Sequence, residues 1–564
     1  MIKFFKNNCK NLNPWQNIKI LHTNIFNDII AGIMVAIIVL PLALAFGEMS
    51  GLGPEAGIWS AVVGGIFGGL FGGCLVGVSG PTAPMASQVA AFMSFFVIGT
   101  TNEPDIVAAF TIIFLSGLIL VGLSMINISR FIHHIPYSVI AGFMCGIGVI
   151  IMITQINGFV GIAPESNIRS IFTNFIHTIE HIQIDALYVS IPSLLILFTW
   201  SYIQKKYNSF IYIPSTLVAL IIGTCIANFM DLNIPYIGDK MGDGSSDNLF
   251  NFYIPSFSRF NEFLGPAFAL AGLAILDSLL TCKVADSLTG TRHNSNQEAF
   301  GQGIANMAAG LLGGIPTATA TTQTIGNVTF GAKTPLSSIT MGMTFLAILM
   351  GLGFLVKAIP SACLAAILFK LGIDILDYRV LPIIKKIPII DLLIFSIVLI
   401  TTIYADIMIA VAIGVVFSIV CSIHEIKLFF KISDNFKNIV FSNSVFNNHN
   451  NDSSLKLDLP VTILKGQGPL FFGSVESLLN TYKVSPKHKM LVVDMSDVSM
   501  IDLSGSFAID DIIKKNKENN IMTYLYNANP QIKKILQNIN IINHNDNTFC
   551  DSVESVNSIV KKHF

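Results

Sequence analysis

Between residues 24 and 427 the chain is a succession of apolar blocks separated by short polar loops. A helix that crosses the hydrocarbon core of a bilayer needs about 20 apolar residues, because lipid satisfies none of its backbone groups. Blocks of this kind lie near 24–47, 54–74, 82–99, 105–127, 135–156, 184–204, 211–230, 262–284, 297–314, 318–330, 335–357, 359–377, 388–406 and 408–427. They predict a polytopic, all-α membrane protein of fourteen segments, some of which, 318–330 above all, are too short to cross alone. Only 12% of the 564 residues are charged, against about 25% in a soluble protein. The deficit sits in these blocks, and residues 443–564 have an ordinary soluble composition.

Several function classes fall away. A net charge of −1 gives no general attraction to nucleic acid. The eight cysteines are scattered without metal-ligand spacing. No nucleotide-binding loop appears, which argues against ATP-driven pumping, and neither a catalytic constellation nor an organic cofactor is expected. The first apolar block has no clear cleavage site and is expected to stay as an anchor. Lys3 to Lys19, Arg130, Lys205, Lys206, Lys283, Arg292, Lys333, Arg379, Lys385, Lys386 and Lys427 fall on one side of the segments, which predicts both termini in the cytoplasm.

Two features recur along the chain. Pro41 lies inside the apolar run of the first span, and forty residues later comes Ser79-Gly80-Pro81-Thr82-Ala83-Pro84. Asp277 lies inside the eighth span, and thirty-nine residues later comes Gly314-Ile315-Pro316-Thr317-Ala318-Thr319-Ala320-Thr321. Each half is expected to have a break in its first span and a Pro-Thr entry to a short third span. Seven segments per half is an odd number, so the halves must be inverted in the membrane, as in secondary transporters. Pro81 and Pro316 cannot continue a helix but suit the opening of a new one. Each half-helix then aims free N–H groups and a positive dipole end inward, and two such ends make an anion site without an arginine.

Asp277 is the ionisable residue that most needs explaining. A carboxylate deep in a span costs about 2.5–3.5 kcal/mol on insertion scales and calls for a cation, a proton or hydroxyl donors. Thr281 is four residues on and shares its face. The alternative is a structural carboxylate bonded to the neighbouring broken helix. Thr82, Thr319 and Thr321 open the half-helices, where their hydroxyls either bind an ion or simply cap the helix. Asp286, Arg292, His293, Asn294 and Glu298 are expected to form a stabilising polar cluster in a cytoplasmic loop. The glycines from Gly64 to Gly73 are expected to bring helices close.

The tail alternates strand and helix. Val461–Leu464, Leu470–Phe472, Leu491–Met495 and Met522–Tyr526 are strand-like, and helices follow Ser474, Ser504 and Pro530. This predicts a small α/β domain. The resulting division is 1–23 cytoplasmic, 24–430 transport domain, 431–458 linker and 459–564 C-terminal domain.

These stretches carry a resemblance. Asp28-Ile29-Ile30-Ala31-Gly32, Leu40-Pro41-Leu42-Ala43-Leu44-Ala45-Phe46, Ser79-Gly80-Pro81-Thr82 and the tail make the chain similar to the SulP family of anion transporters, whose C-terminal domain is a STAS domain. The resemblance implies a seven-plus-seven inverted repeat with two broken half-helices, a homodimer, and a bacterial cytoplasmic membrane. Ile275–Thr281, Val284–Thr289, His293–Asn296 and Gly301-Gln302-Gly303 are similar to a cyanobacterial branch of sodium-dependent bicarbonate carriers. That implies Na⁺ held by Asp277, Thr281, Thr319 and Thr321, and bicarbonate near Thr82, Ala83, Ala320 and Thr321. Thr319-Ala320-Thr321 stands where that branch is richer in glycine. Leu42 follows the first-span proline where sulfate carriers often have a polar residue. Ser504, in the turn Asp502-Leu503-Ser504-Gly505, occupies the place of a phosphorylated serine in STAS domains of the sporulation-regulator type. The expected function is Na⁺-coupled bicarbonate symport. The alternatives are proton-coupled sulfate or dicarboxylate transport and a membrane-anchored STAS sensor.

Overall fold

The computed structural model describes residues 14–93, 96–98, 103–126, 135–162, 171, 173–207, 213–239, 252–351, 357–376, 380–404, 461–471, 489–542 and 548–550, with isolated residues between 410 and 420 and between 474 and 482. The linker 431–458, Lys3, Lys6, Lys10, Arg130, Arg379, Lys427 and most of the span expected at 408–427 lie outside the described residues.

Thirteen of the fourteen expected segments appear as helices among the described residues. They are α1 (Ile25–Met49), α2 (Pro54–Phe71), α3 (Ala83–Met93), α4 (Ile106–Met125), α5 (Tyr137–Phe159), α6 (Ile184–Lys206), α7 (Ser215–Phe229), α8 (Phe260–Thr289), α9 (Ser295–Leu312), α10 (Thr321–Thr329), α11 (Leu336–Gly351), α12 (Ser361–Ile375) and α13 (Ile389–Tyr404). Six of them, α1, α2, α4, α5, α6 and α8, are long and apolar enough to cross a membrane by themselves. α3 has 11 residues and α10 has 9. At 1.5 Å per residue they reach about 16 and 14 Å, roughly half of a hydrocarbon core.

The expected breaks in the first span of each half are absent. α1 runs unbroken through Pro41, and α8 runs through Asp277 with Pro266 also inside it. A proline removes one backbone donor, and an apolar surround leaves the remaining carbonyls no better partner than the helix. Among the described residues the breaks lie before α3 and α10. There the chain is extended as β1 (Ser79–Pro81) and β4 (Thr317–Thr319), with the dipeptide strands β2 (Val97–Ile98) and β3 (Glu103–Pro104) between them in the chain.

The chain divides into two compact units. One comprises 1–132, 145–376 and 401–408, and it holds β1, β4 and every helix from α6 to α12. Its close packing rests on small residues. A Cβ on Gly64 would lie 2.8 Å from the Ser79 carbonyl oxygen, so only glycine lets α2 touch β1. The Asp28 carboxylate, fully buried, accepts from Asn24 Nδ2 at 2.9 Å and the Lys333 N–H at 2.8 Å, and also from the Thr334 hydroxyl. It thereby fastens the start of α1 to the chain between α10 and α11.

The other unit comprises 133–144, 377–400 and 409–564. Its centre is a parallel sheet of order β5-β6-β7-β8 (Val461–Gln467, Met490–Asp497, Met522–Tyr526, Phe549–Cys550). Helices α14 (Leu503–Glu518) and α15 (Pro530–Asn538) follow β6 and β7. Leu491, Val493, Ile509, Leu525, Ile532 and Leu536 form its core.

Candidate functional site

β1 and β4 pair antiparallel, with Ser79 opposite Thr319, Gly80 opposite Ala318 and Pro81 opposite Thr317. The Ala320 N–H continues the ladder to the Val78 carbonyl at 3.0 Å. α3 leaves one end of this ribbon and α10 leaves the other, in opposite directions. Their N-termini therefore face a shared centre, roughly 10 Å apart by strand rise. The Thr82 carbonyl accepts the first helical bond of α3 from Ala86, and the Ala320 carbonyl accepts that of α10 from Thr324, each at 3.0 Å. Neither helix is capped by its own side chain: Ala320 carries no polar group, and the Thr82 hydroxyl makes no hydrogen bond. The first N–H groups of both helices, from Ala83 and from Thr321 onward, remain directed at the centre.

α8 lies against both tips. Its Ser278 hydroxyl accepts from the Thr319 N–H at 3.0 Å, and Thr281 Oγ1 lies 2.7 Å from Thr321 Oγ1. Asp277, on the face of Thr281, lies beside the Thr82 side chain without closing a hydrogen bond to it. Asp277 Oδ2 and Thr82 Oγ1 are both shut off from solvent and unpartnered. An unmet buried acceptor or donor costs about 1–3 kcal/mol, and more when charged. A cation or a proton at Asp277 would remove that cost.

The structure thus brings Asp277, Thr281, Thr82, Ala83, Thr319, Ala320 and Thr321 to one place. Thr319 offers that centre only its backbone. Its hydroxyl donates to Glu298 and accepts from Gln302 Nε2 at 2.9 Å. Ser504 lies in the other unit, where its hydroxyl accepts from the Tyr137 N–H at 3.0 Å while the Leu503 N–H donates to Asp391 at 3.1 Å.

Sequence reasoning missed a polar ladder on α9. Glu298, Gln302 and Asn306 recur every four residues on one buried face. Asn306 brackets Thr317, donating to its carbonyl at 3.0 Å and accepting from its N–H at 2.6 Å. Gln302 donates to Ser79 Oγ at 2.6 Å and accepts from Thr317 Oγ1 at 3.2 Å. Glu298 belongs to this ladder and not to a loop. The loop cluster is Asp286, His293 and Ser295, with His293 Nδ1 2.9 Å from Asp286 and Nε2 3.0 Å from Ser295. The i, i+4, i+8 spacing of three polar residues in a helix that is otherwise apolar beyond its first turn was the available signal.

Comparison with known proteins agrees with this architecture. The Sulfate permease family model matches residues 25–398, and a STAS domain model matches 454–556. The chain belongs to the sulfate permease family. The bicarbonate transporter BicA of Picosynechococcus is 32% identical over 93% of this chain and 92% of its own length. The chloroplastic sulfate transporter 4.1 of Arabidopsis thaliana is 25% identical, over 90% of this chain and 75% of its own. The solved transmembrane domain of a cyanobacterial BicA overlays with a TM-score of 0.62 at 33% identity, covering 69% of this chain and 98% of that one. The structure of SLC26A9 shares the fold alone, with a TM-score of 0.63 at 18% identity over 96% of this chain and 91% of its own. This sulfate permease family member is a multi-pass membrane anion transporter with a C-terminal STAS domain.

Proposed function

We propose that the chain is a Na⁺-coupled bicarbonate symporter working by alternating access in a bacterial cytoplasmic membrane, with both termini inside. The observation that carries this is the unpartnered Asp277 carboxylate oxygen beside two uncapped, opposed helix N-termini. Na⁺ takes hard oxygen ligands from Asp277, the Thr281 and Thr321 hydroxyls and the backbone of 319–321. Bicarbonate sits between Thr82–Ala83 and Ala320–Thr321, on the N–H groups of both half-helices. With Na⁺ bound, the charge of Asp277 is offset and no longer repels the anion. Relatives named as bicarbonate transporters, 32% identical across nearly the whole chain, support that anion. The chain acts as a homodimer, and Ser504 is its regulatory contact: a phosphoryl group on that hydroxyl would displace the Tyr137 N–H it now accepts.

The test is labelled-anion uptake into proteoliposomes, comparing bicarbonate, sulfate and succinate with and without sodium. Bicarbonate uptake should require sodium, and Asp277→Asn should bring it to background. Uptake of sulfate or succinate that follows pH and ignores sodium would establish the proton-coupled reading instead. A chain deleted of 443–564 that neither binds nor moves anion would favour the sensor.

A further inference from the structure

Glu298 is a nearly fully buried carboxylate, 2% exposed, on the transport unit's α9. Oε2 accepts from the Gly73 and Cys74 N–H groups at 2.8 and 2.9 Å. Oε1 accepts from Gln302 Nε2 at 2.9 Å and from the Thr319 hydroxyl. Both oxygens thus act as acceptors, Oε2 for two backbone N–H groups and Oε1 for the Thr319 hydroxyl, with the Gln302 amide sharing its two hydrogens among Oε1, Ser79 Oγ and Thr319 Oγ1. Among the described residues no lysine or arginine pairs with it. The charge therefore stands next to Thr319, the residue that leads into the tip of α10.

The balance of charge follows from elementary electrostatics. Two helix N-termini supply roughly half an elementary charge each, about +1 together. Asp277 and Glu298 supply two negative charges. Without a cation the centre is about one charge too negative to take an anion, and with one monovalent cation it is near neutral. Asp277 alone would leave it near neutral already. We infer that Glu298 is a positioning residue that makes anion binding depend on the cation, by fixing Thr319 through its hydroxyl and by setting a second negative charge behind the α10 tip. The inference rests on the Na⁺-coupled reading given above and adds to it the group that makes the coupling obligatory.

The experiment compares Glu298→Gln and Glu298→Asp in the full-length protein, reconstituted in proteoliposomes, with folded protein quantified by thermal melting. The readout is the ratio of labelled-bicarbonate uptake with sodium to uptake without it. Glu298→Asp keeps the charge and should hold the wild-type ratio. Glu298→Gln should lower the ratio about tenfold, mainly by raising sodium-free uptake, the order expected for one charge acting across about 12 Å at an effective dielectric constant of about 20. A structural role alone would scale both arms together and leave the ratio unchanged. A wild-type ratio in folded Glu298→Gln overturns the inference and leaves sodium coupling standing, whereas a wild type indifferent to sodium overturns both. Should Glu298→Gln not fold, Thr319→Val removes the hydroxyl that Glu298 holds. The sodium concentration for half-maximal uptake should then rise several-fold, and an unchanged value overturns the inference.

Discussion

Around β1 and α3 close packing against backbone predominates, with Gln302 bonded to the Ser79 hydroxyl. Gly64 brings α2 against the Ser79 carbonyl and the Gly80 Cα, Gly68 lies against the Ser79 side chain, and every α3 residue but Ala91 is buried. Around β4 and α10 the neighbours are polar side chains: Asn306 on both backbone groups of Thr317, Ser278 on the Thr319 N–H, Glu298 and Gln302 on the Thr319 hydroxyl. On α10, Thr321 and Thr322 are exposed. One half-helix is located by close packing, which tolerates no added atom. The other is located by directed hydrogen bonds, which leave its tip accessible and its ligands aimed. An inverted repeat thus keeps its geometry while assigning the rigid wall to one half and the polar, hydrogen-bonded face to the other.

Five substitutions sharpen that contrast. The largest effect belongs to Gly64→Ala on the packed side. A Cβ there meets backbone at 2.8–2.9 Å, and backbone cannot step aside as a flexible side chain does. Uptake per folded molecule should fall at least about tenfold, with a lower melting temperature. On the bonded side, Asn306→Ala leaves two backbone groups of Thr317 unmet. The expected loss is about 2–4 kcal/mol of stability, seen as a drop in melting temperature, with residual activity at low temperature. Thr281→Val and Thr321→Val each remove one member of a 2.7 Å hydroxyl pair. Each should raise the half-saturating sodium concentration about three- to tenfold, and the double variant should cost little more than either, a non-additivity that a double-mutant cycle measures. Thr82→Val, at the tip of the packed half-helix, should change the anion KM by only about two- to threefold. If Thr82→Val proved worse than Gly64→Ala, the division between a packing wall and a bonding face would be wrong.

The sequence made the half-helices legible because proline ends one element before another begins, but neither proline opens a helix as expected: Pro81 closes β1 and Pro316 precedes β4, because both residues lie at the paired ribbon from which the helices leave. Asp277 was legible because an acid in an apolar run is costly. The breaks expected in the first spans were misplaced because Pro41, in a helix with no competing partner, removes one hydrogen bond without ending the run. The α9 ladder stayed hidden because the partners of Glu298 and Asn306, Gly73 and Thr317, lie on other elements, and short-range periodicity says nothing about what a buried face meets. The same holds for Ser504. Its turn is visible through the Asp502 cap on Gly505, but its acceptance of the Tyr137 N–H joins residues far apart in the chain.

If sodium and bicarbonate share the centre between the two helix tips, each changes the other's binding by the same factor. Isothermal titration on the purified full-length protein measures both: sodium binding at zero and saturating bicarbonate, and bicarbonate binding at zero and saturating sodium. The expected result is two equal factors of about ten or more, both abolished by Asp277→Asn. Sodium affinity that ignores bicarbonate in the wild-type protein would contradict the shared centre directly.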